Sequence, residues 1–189
     1  MRVPVLMLLA AAATVAACGK KAPEQPAPEP TPPPAAPTPA PAPPPADDSE
    51  ARRRAEAERL AAETTRRLAA ELTAMINFDF DRSDIRPGDA AKLDAKAAIL
   101  LANPAVRLRI AGHCDERGSD EYNLALGNRR ANAARQYLIN KGIAADRLET
   151  VSYGEERPLS AGSDEGSWAQ NRRDEFEITA GAERLVAPR

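Results

Sequence analysis

The chain has 189 residues, 26 basic and 28 acidic, for a formal net charge of −2; that length allows one domain, or one domain with tails. This balance excludes the basic field that duplex nucleic-acid binding requires, and one histidine with two cysteines is too few for a four-ligand structural zinc site, so neither metal nor cofactor is expected. All the aromatic residues lie between 77 and 181, where 15 basic residues are set against 18 acidic ones, and the first 76 residues contain none, so only the C-terminal part can build a proper core.

Arg2 and an apolar run from Val3 to Ala13, broken only by Pro4, open the chain. The run is too short for the ~20 apolar residues of a membrane-spanning helix and fits the hydrophobic region of a secretory signal. Val15-Ala16-Ala17-Cys18 resembles a bacterial lipobox. That resemblance implies a signal peptide over 1–17, cleavage before Cys18, a diacylglyceryl thioether on its sulfur and an acylated new N-terminus. Several acyl chains anchor stably, because each buried CH₂ adds about 0.8 kcal/mol. Gly19, where an Asp would retain the protein, implies onward export to the outer membrane, with the folded part facing the periplasm. With Cys18 lipidated, Cys114 is the remaining thiol and no intramolecular disulfide can form.

Residues 18–46 hold the lipidated cysteine and a linker. The stretch 22–46 carries 13 of the 18 prolines and is otherwise mostly alanine. It cannot bury a core and reads as a disordered, polyproline-rich, semi-rigid spacer, with a reach of roughly 75–80 Å at about 3.1 Å per residue. Asp47-Asp48-Ser49-Glu50 is a helix start, with capping side chains and acids at the positive end of the dipole. A charged helix is predicted over 47–72, rich in Ala, Glu, Arg and Leu and supported by Glu50–Arg54 and Glu63–Arg67 at i,i+4. Its apolar stripe is too short and weak for a coiled coil, so it reads as a solvated helix, or one resting lightly on the domain.

A domain is predicted over 73–181. Thr73 to Phe80 reads as a strand. Pro87-Gly88-Asp89 opens a helix through Ala102, with Leu93, Ala97, Leu100 and Leu101 on one face, ended by Asn103-Pro104. Val106 to Ile110 alternates at period two and is a half-buried strand. A long helix covers 121–141, stopped by Gly142, and Leu148–Tyr153 is a third strand. A loop or short helix around 164–170 precedes a fourth strand marked by Phe176 and Ile178, and 182–189 reads as a tail. The order β-α-β-α-β-β gives an α+β class: a mixed four-stranded sheet with helices packed on one face.

The second strand runs into Gly112-His113-Cys114-Asp115-Glu116-Arg117-Gly118. Asp115 lies in a loop at the strand's C-terminal end, where ligand sites gather. Asn123, Gly127 and Arg130 share one face of the following helix; Leu124, Ala131, Ala134 and Leu138 would form its core face. A loop carboxylate and a helix guanidinium then project toward one groove, with Gly127 leaving room there. The pair suits a zwitterion, the carboxylate accepting from an ammonium and the guanidinium gripping a carboxylate. Asp79 and Asp81 of the first strand could supply further acceptors. Spacing alone leaves a second possibility open, an internal Asp115–Arg130 salt bridge that only fixes the loop. Cys114 should point away from His113 and Asp115 as a small buried hydrophobe. His113 reads as a hydrogen-bonded structural histidine, because neither a nucleophile motif nor a second histidine accompanies it. No enzyme activity is expected.

The pieces FDFD (78–81), NP (103–104), GHCDERG (112–118), EYNLALGNRRA (121–131), SYGEERP (152–158) and NRR (171–173), in this order and spacing, resemble the OmpA-like peptidoglycan-binding family and, within it, the peptidoglycan-associated lipoproteins. The resemblance spans about 105 residues. It implies the mixed sheet inferred above and, as ligand, the meso-diaminopimelate of the peptidoglycan stem, whose free amino-acid end is a zwitterion. By position, Asp115 would take the ammonium and Arg130 the carboxylate, with Asn123, Arg117, Asp79 and Asp81 lining the site and Asn171-Arg172-Arg173 bracing the loops around it. It further implies a non-covalent tether between the outer membrane and the cell wall, with TolB and the Tol complex as partners in envelope integrity and division. The sequence departs from that family at Cys114, where a small residue is usual, at Asn128, where Glu is common, and in its longer spacer.

Overall fold

Helix, strand and sheet assignments come from a computed structural model that describes residues 48–188. The expected signal peptide (1–17), the expected lipidation site Cys18 and the expected Pro/Ala linker lie outside the described residues.

A 26-residue helix α1 (Asp48–Thr73) is followed by β1 (Ile76–Asn77), α2 (Pro87–Ala102), β2 (Arg107–His113), α3 (Asp120–Asn140), a 3₁₀ turn (Ala145–Arg147), β3 (Leu148–Gly154), α4 (Glu165–Asn171) and β4 (Arg173–Ala180). The strands lie in the order β1-β4-β2-β3. β2 and β3 run parallel across the α3 crossover, whereas β4 is antiparallel to both β2 and β1. Period-two alternation sorts the two faces of the sheet. Leu108, Ile110 and Phe176 face the helices and join Leu72, Leu93, Leu100, Ala134 and Leu138 in one core. On the opposite face Arg109 pairs with its register neighbours on both sides, Glu149 of β3 at 3.3 Å and Glu177 of β4 at 3.2 Å.

The described part of the charged helix is more than lightly docked. Residues 48–60 are exposed all round, but Leu68 and Leu72 are fully buried in the core. The helix ends on the buried Lys96, whose Nζ donates to the carbonyls of Glu71 and Leu72 at 2.8 Å each and lies 4.3 Å from the Phe176 ring. An ammonium at a helix C-terminus satisfies carbonyls that lack an intrahelical partner and sits at the negative end of the dipole. The segment after β4 is also anchored: Leu185 is buried, its N–H donates to Thr65 Oγ1 at 3.1 Å, and Asn103 exchanges two hydrogen bonds with the Val186 backbone.

The expected strand over 73–80 is cut to two residues. Helix α1 runs through Thr73, and beyond Asn77 one further backbone bond, from the Phe78 N–H to the Arg172 carbonyl at 2.9 Å, is made before arginine side chains take the carbonyls. The Phe78 carbonyl accepts from Arg172 Nε at 3.1 Å and the Asp79 carbonyl from Arg130 at 3.1 Å. In α2, Leu93, Ala97 and Leu100 are buried as predicted, but Leu101 is 57% exposed; Ile99 and Lys96 face inward instead. In α3, Ala131, Ala134 and Leu138 are core as expected, Leu124 is exposed, and Leu126 takes an inner position.

Helix α3 lies directly on β2 through two glycines. A Cβ on Gly112 would sit 2.0 Å from the Gly127 carbonyl oxygen, and one on Gly127 would sit 2.9 Å from the Gly112 carbonyl oxygen. Gly127 therefore makes room for strand backbone, and not for a ligand as its spacing suggested. That close approach brings the next turn of α3, with Arg130, beneath the C-terminal end of β2.

Candidate functional site

Where β2 ends, a pocket of about 220 Å³ opens between the 80–82 loop, the 114–118 loop and the first turns of α3. Asp115, Arg117, Asn123, Arg130 and Asp81 all reach its wall, as does Arg172.

Asp115 is almost wholly buried. Its Oδ1 accepts from the Arg117 backbone N–H and Nε, each at 3.2 Å; its Oδ2 accepts from an Arg117 terminal nitrogen at 2.7 Å and an Arg172 terminal nitrogen at 3.1 Å. Burial alone would raise its pKa, but the hydrogen bonds from Arg117 and Arg172 outweigh it and hold the carboxyl below its ordinary value. Asp115 is thus an anion at neutral pH. The expected alternative, an internal ion pair with Arg130, is not what the fold builds.

Arg130 is the largest fully buried side chain among the described residues, and it holds backbone. It donates to the carbonyls of Arg82 and His113 at 2.8 Å and of Asp79 at 3.1 Å, and to Cys114 Sγ at 3.3 Å. A guanidinium has five N–H groups, so one has no acceptor among the described residues, and the side chain borders the pocket. Burial lowers its pKa.

Arg172 braces three segments, as the resemblance implied: the Phe78 carbonyl, Asp115, and Glu165 Oε1 at 2.7 Å. Arg173 turns away to Glu175 and the Arg157 carbonyl. Asn123 is buried, and its amide donates to the carbonyls of Asp115 and Arg117 and to Glu155, so it fixes the loop and does not face a ligand freely. Asp81, in the left-handed region at φ 56°, accepts from the Tyr122 hydroxyl at the rim. Asp79 is not on the wall. Its side chain is 64% exposed beside Arg86, and its carbonyl is what serves the site, through Arg130.

Sequence reasoning missed the aromatic sandwich around Arg117, whose guanidinium carbon lies 4.0 Å from the Phe80 ring centroid and 4.2 Å from that of Trp168. Phe80 and Trp168 lie far from Arg117 along the chain, so no local spacing signalled the contact. Cys114 is buried as expected, donating to the Asn123 carbonyl at 3.3 Å, and burial pushes its thiol up to about 11. His113 departs from its expected role. Neither ring nitrogen has a hydrogen bond among the described residues; the ring packs at 5.4 Å on Tyr153, and burial, then Arg173, lower its pKa to about 4. It is a neutral packing residue, off the pocket wall.

Residues 77–172 match the OmpA family. The chain is 52% identical over 99 residues to the peptidoglycan-associated lipoprotein of Pseudomonas putida, a match covering 52% of this chain and 59% of that protein. It is 50% identical over 98 residues to the peptidoglycan-associated lipoprotein of Haemophilus influenzae, covering 52% and 64%. The match thus spans less than two thirds of the length of these relatives. Among solved structures, the peptidoglycan-associated lipoprotein from Burkholderia pseudomallei is 42% identical and superposes with a TM-score of 0.54 over 55% of this chain and 88% of that one.

Proposed function

The chain belongs to the OmpA family, and from that premise we propose that it is an outer-membrane lipoprotein whose domain grips peptidoglycan without making or breaking a bond. The observation that carries this reading is the pocket at the end of β2, where a buried, ionised carboxylate and two buried guanidinium groups converge. Buried charges are costly unless they are paired, and placing both signs on one small cavity suits a ligand that itself carries both. The zwitterionic end of meso-diaminopimelate is such a ligand: its ammonium goes to Asp115 and its carboxylate to the free N–H of Arg130. That the relatives are named peptidoglycan-associated lipoproteins supports the same reading.

The lipid on Cys18 would hold the membrane end and the Pro/Ala segment would span part of the periplasm. TolB and the Tol complex are the protein partners this reading assigns, through the kinship with peptidoglycan-associated lipoproteins. Catalysis has no place in it, so labelled sacculi incubated with the protein should release no fragments.

Co-sedimentation of the purified protein with sacculi tests the reading. It should pellet with them, and free meso-diaminopimelate should return it to solution. A protein that stays soluble with sacculi of the meso-diaminopimelate type would overturn it.

A further inference from the structure

We propose that Arg117 is a built-in plug of this site: its guanidinium occupies Asp115 in the free protein and must swing off before a ligand's ammonium can bind. The inference rests on the function proposed above and adds how the site is kept closed. A carboxylate offers about four acceptor positions. All four on Asp115 are filled, two of them by the Arg117 side chain, one by the Arg117 backbone N–H and one by Arg172. The carboxylate is 4% exposed. As it stands, it has no lone pair to give to a ligand.

Of the two arginines on Asp115, one can move. Arg172 is buried and pinned to the Phe78 carbonyl. Arg117 is 30% exposed, and its side-chain hydrogen bonds go to carboxylate alone. Its other anchors do not involve Asp115: Glu165 Oε2 lies 3.5 Å away, and the Phe80 and Trp168 rings flank the guanidinium. A short swing between those rings keeps the Glu165 pair and the stacking, and frees one position on each oxygen of Asp115.

The exchange replaces one cation by another, so the buried carboxylate is never left uncompensated. An anionic or neutral ligand gains nothing by displacing Arg117, because it would leave the buried carboxylate with Arg172 and one backbone N–H alone and two of its acceptor positions empty. The plug therefore selects for a ligand with an ammonium group.

Two measurements test this on the purified protein. In calorimetric titrations with meso-diaminopimelate, Arg117→Ala should bind at least about tenfold more tightly than wild type, since the competing charge-assisted hydrogen bonds are gone. Weaker binding by a variant with an unchanged melting temperature would make Arg117 a direct ligand contact and overturn the plug while leaving the proposed function standing. Binding by neither protein would overturn both. In ¹⁵N-labelled wild type, where folding of a variant is not at issue, the Arg117 Nε–H resonance should shift on saturation with meso-diaminopimelate and stay in place with pimelate, which has no ammonium. A resonance unmoved at saturation would overturn the plug on its own.

Discussion

Replacing Arg130 by alanine should damage the fold before it damages binding. The side chain satisfies three backbone carbonyls on two separate segments, those of Asp79 and Arg82 after β1 and that of His113 at the end of β2. The His113 bond is fully buried and the other two are partly so. An acceptor stripped of its donor costs about 1–3 kcal/mol. The Asp79 carbonyl keeps the Arg82 N–H at 3.2 Å, so two acceptors are stripped; taking the low end for the part-buried Arg82 carbonyl, the loss comes to roughly 2–4 kcal/mol. A domain of this size loses about 3–4 °C of melting temperature per kcal/mol. Arg130→Ala should therefore melt roughly 6–16 °C below wild type in a circular-dichroism scan at pH 7. Arg130→Lys, whose three donors leave from a single nitrogen, cannot span all three carbonyls and should lose about half as much. A drop of less than about 3 °C for the alanine variant would refute the bracing role and return Arg130 to the ligand alone.

Lys96, buried at the end of α1, has its pKa lowered to about 7 by burial, with Lys92 adding to the effect. Above that pH the unfolded chain binds a proton the folded one has released, so stability should rise from pH 7 to 9 by at most ~1.4 kcal/mol per pH unit; Cys114, held protonated up to about 11, opposes it at higher pH. Lys96→Met should flatten that rise in urea titrations, and an unchanged slope would count against the buried clasp. His113, lowered to about 4, makes the domain acid-sensitive: as pH falls from 6.5 toward 4 the unfolded state takes up a proton that the native ring refuses, and stability drops. His113→Gln should lose less stability than wild type between pH 7 and 4.5; an equal loss would show that the ring titrates normally. Gly112→Ala drives a Cβ against the Gly127 carbonyl and should cost roughly 1–3 kcal/mol; it should cost more than Gly127→Ala, whose nearest obstacle is the movable Ser152 hydroxyl, and the reverse order in chemical denaturation would refute the close packing.

The helices were legible because their boundaries are written locally. Pro87 at the first turn and Asn103-Pro104 after the last fix α2 to the residue, and Ser119 caps α3 through the Tyr122 N–H. The first strand was not legible, because what ends it is remote: Arg130 and Arg172 claim the carbonyls that a longer ladder would use, from 51 and 94 positions away. The same distance hid the partners of Asp115. The i,i+4 and i,i+7 spacing on α3 correctly turned Asn123 and Arg130 toward the pocket, but periodicity says nothing about which acceptor a long side chain reaches. Arg117, two residues along, and Arg172, 57 residues along, took the carboxylate, and Arg130 took backbone.

These placements explain why fold and site are hard to separate in this domain. The pocket has no free-standing ligand residues. Asp115 is held by the loop's own Arg117 and by Arg172, Asn123 ties that loop to α3, and Arg130 ties the 79–82 segment to the end of β2. Such mutual support holds the charged groups in place before any ligand arrives, which lowers the ordering cost of binding. It also means that alanine at Asp115 takes from the buried Arg172 one of its two carboxylate partners, leaving Glu165, just as alanine at Arg130 strips its donor from the carbonyls of Arg82 and His113. Loss of binding in either variant is therefore informative only at a temperature where the melting curve shows the domain folded. Arg117 escapes this coupling, being partly exposed and bound by its side chain to carboxylates and rings alone, and it is the position at which binding can be altered while the fold stays fixed.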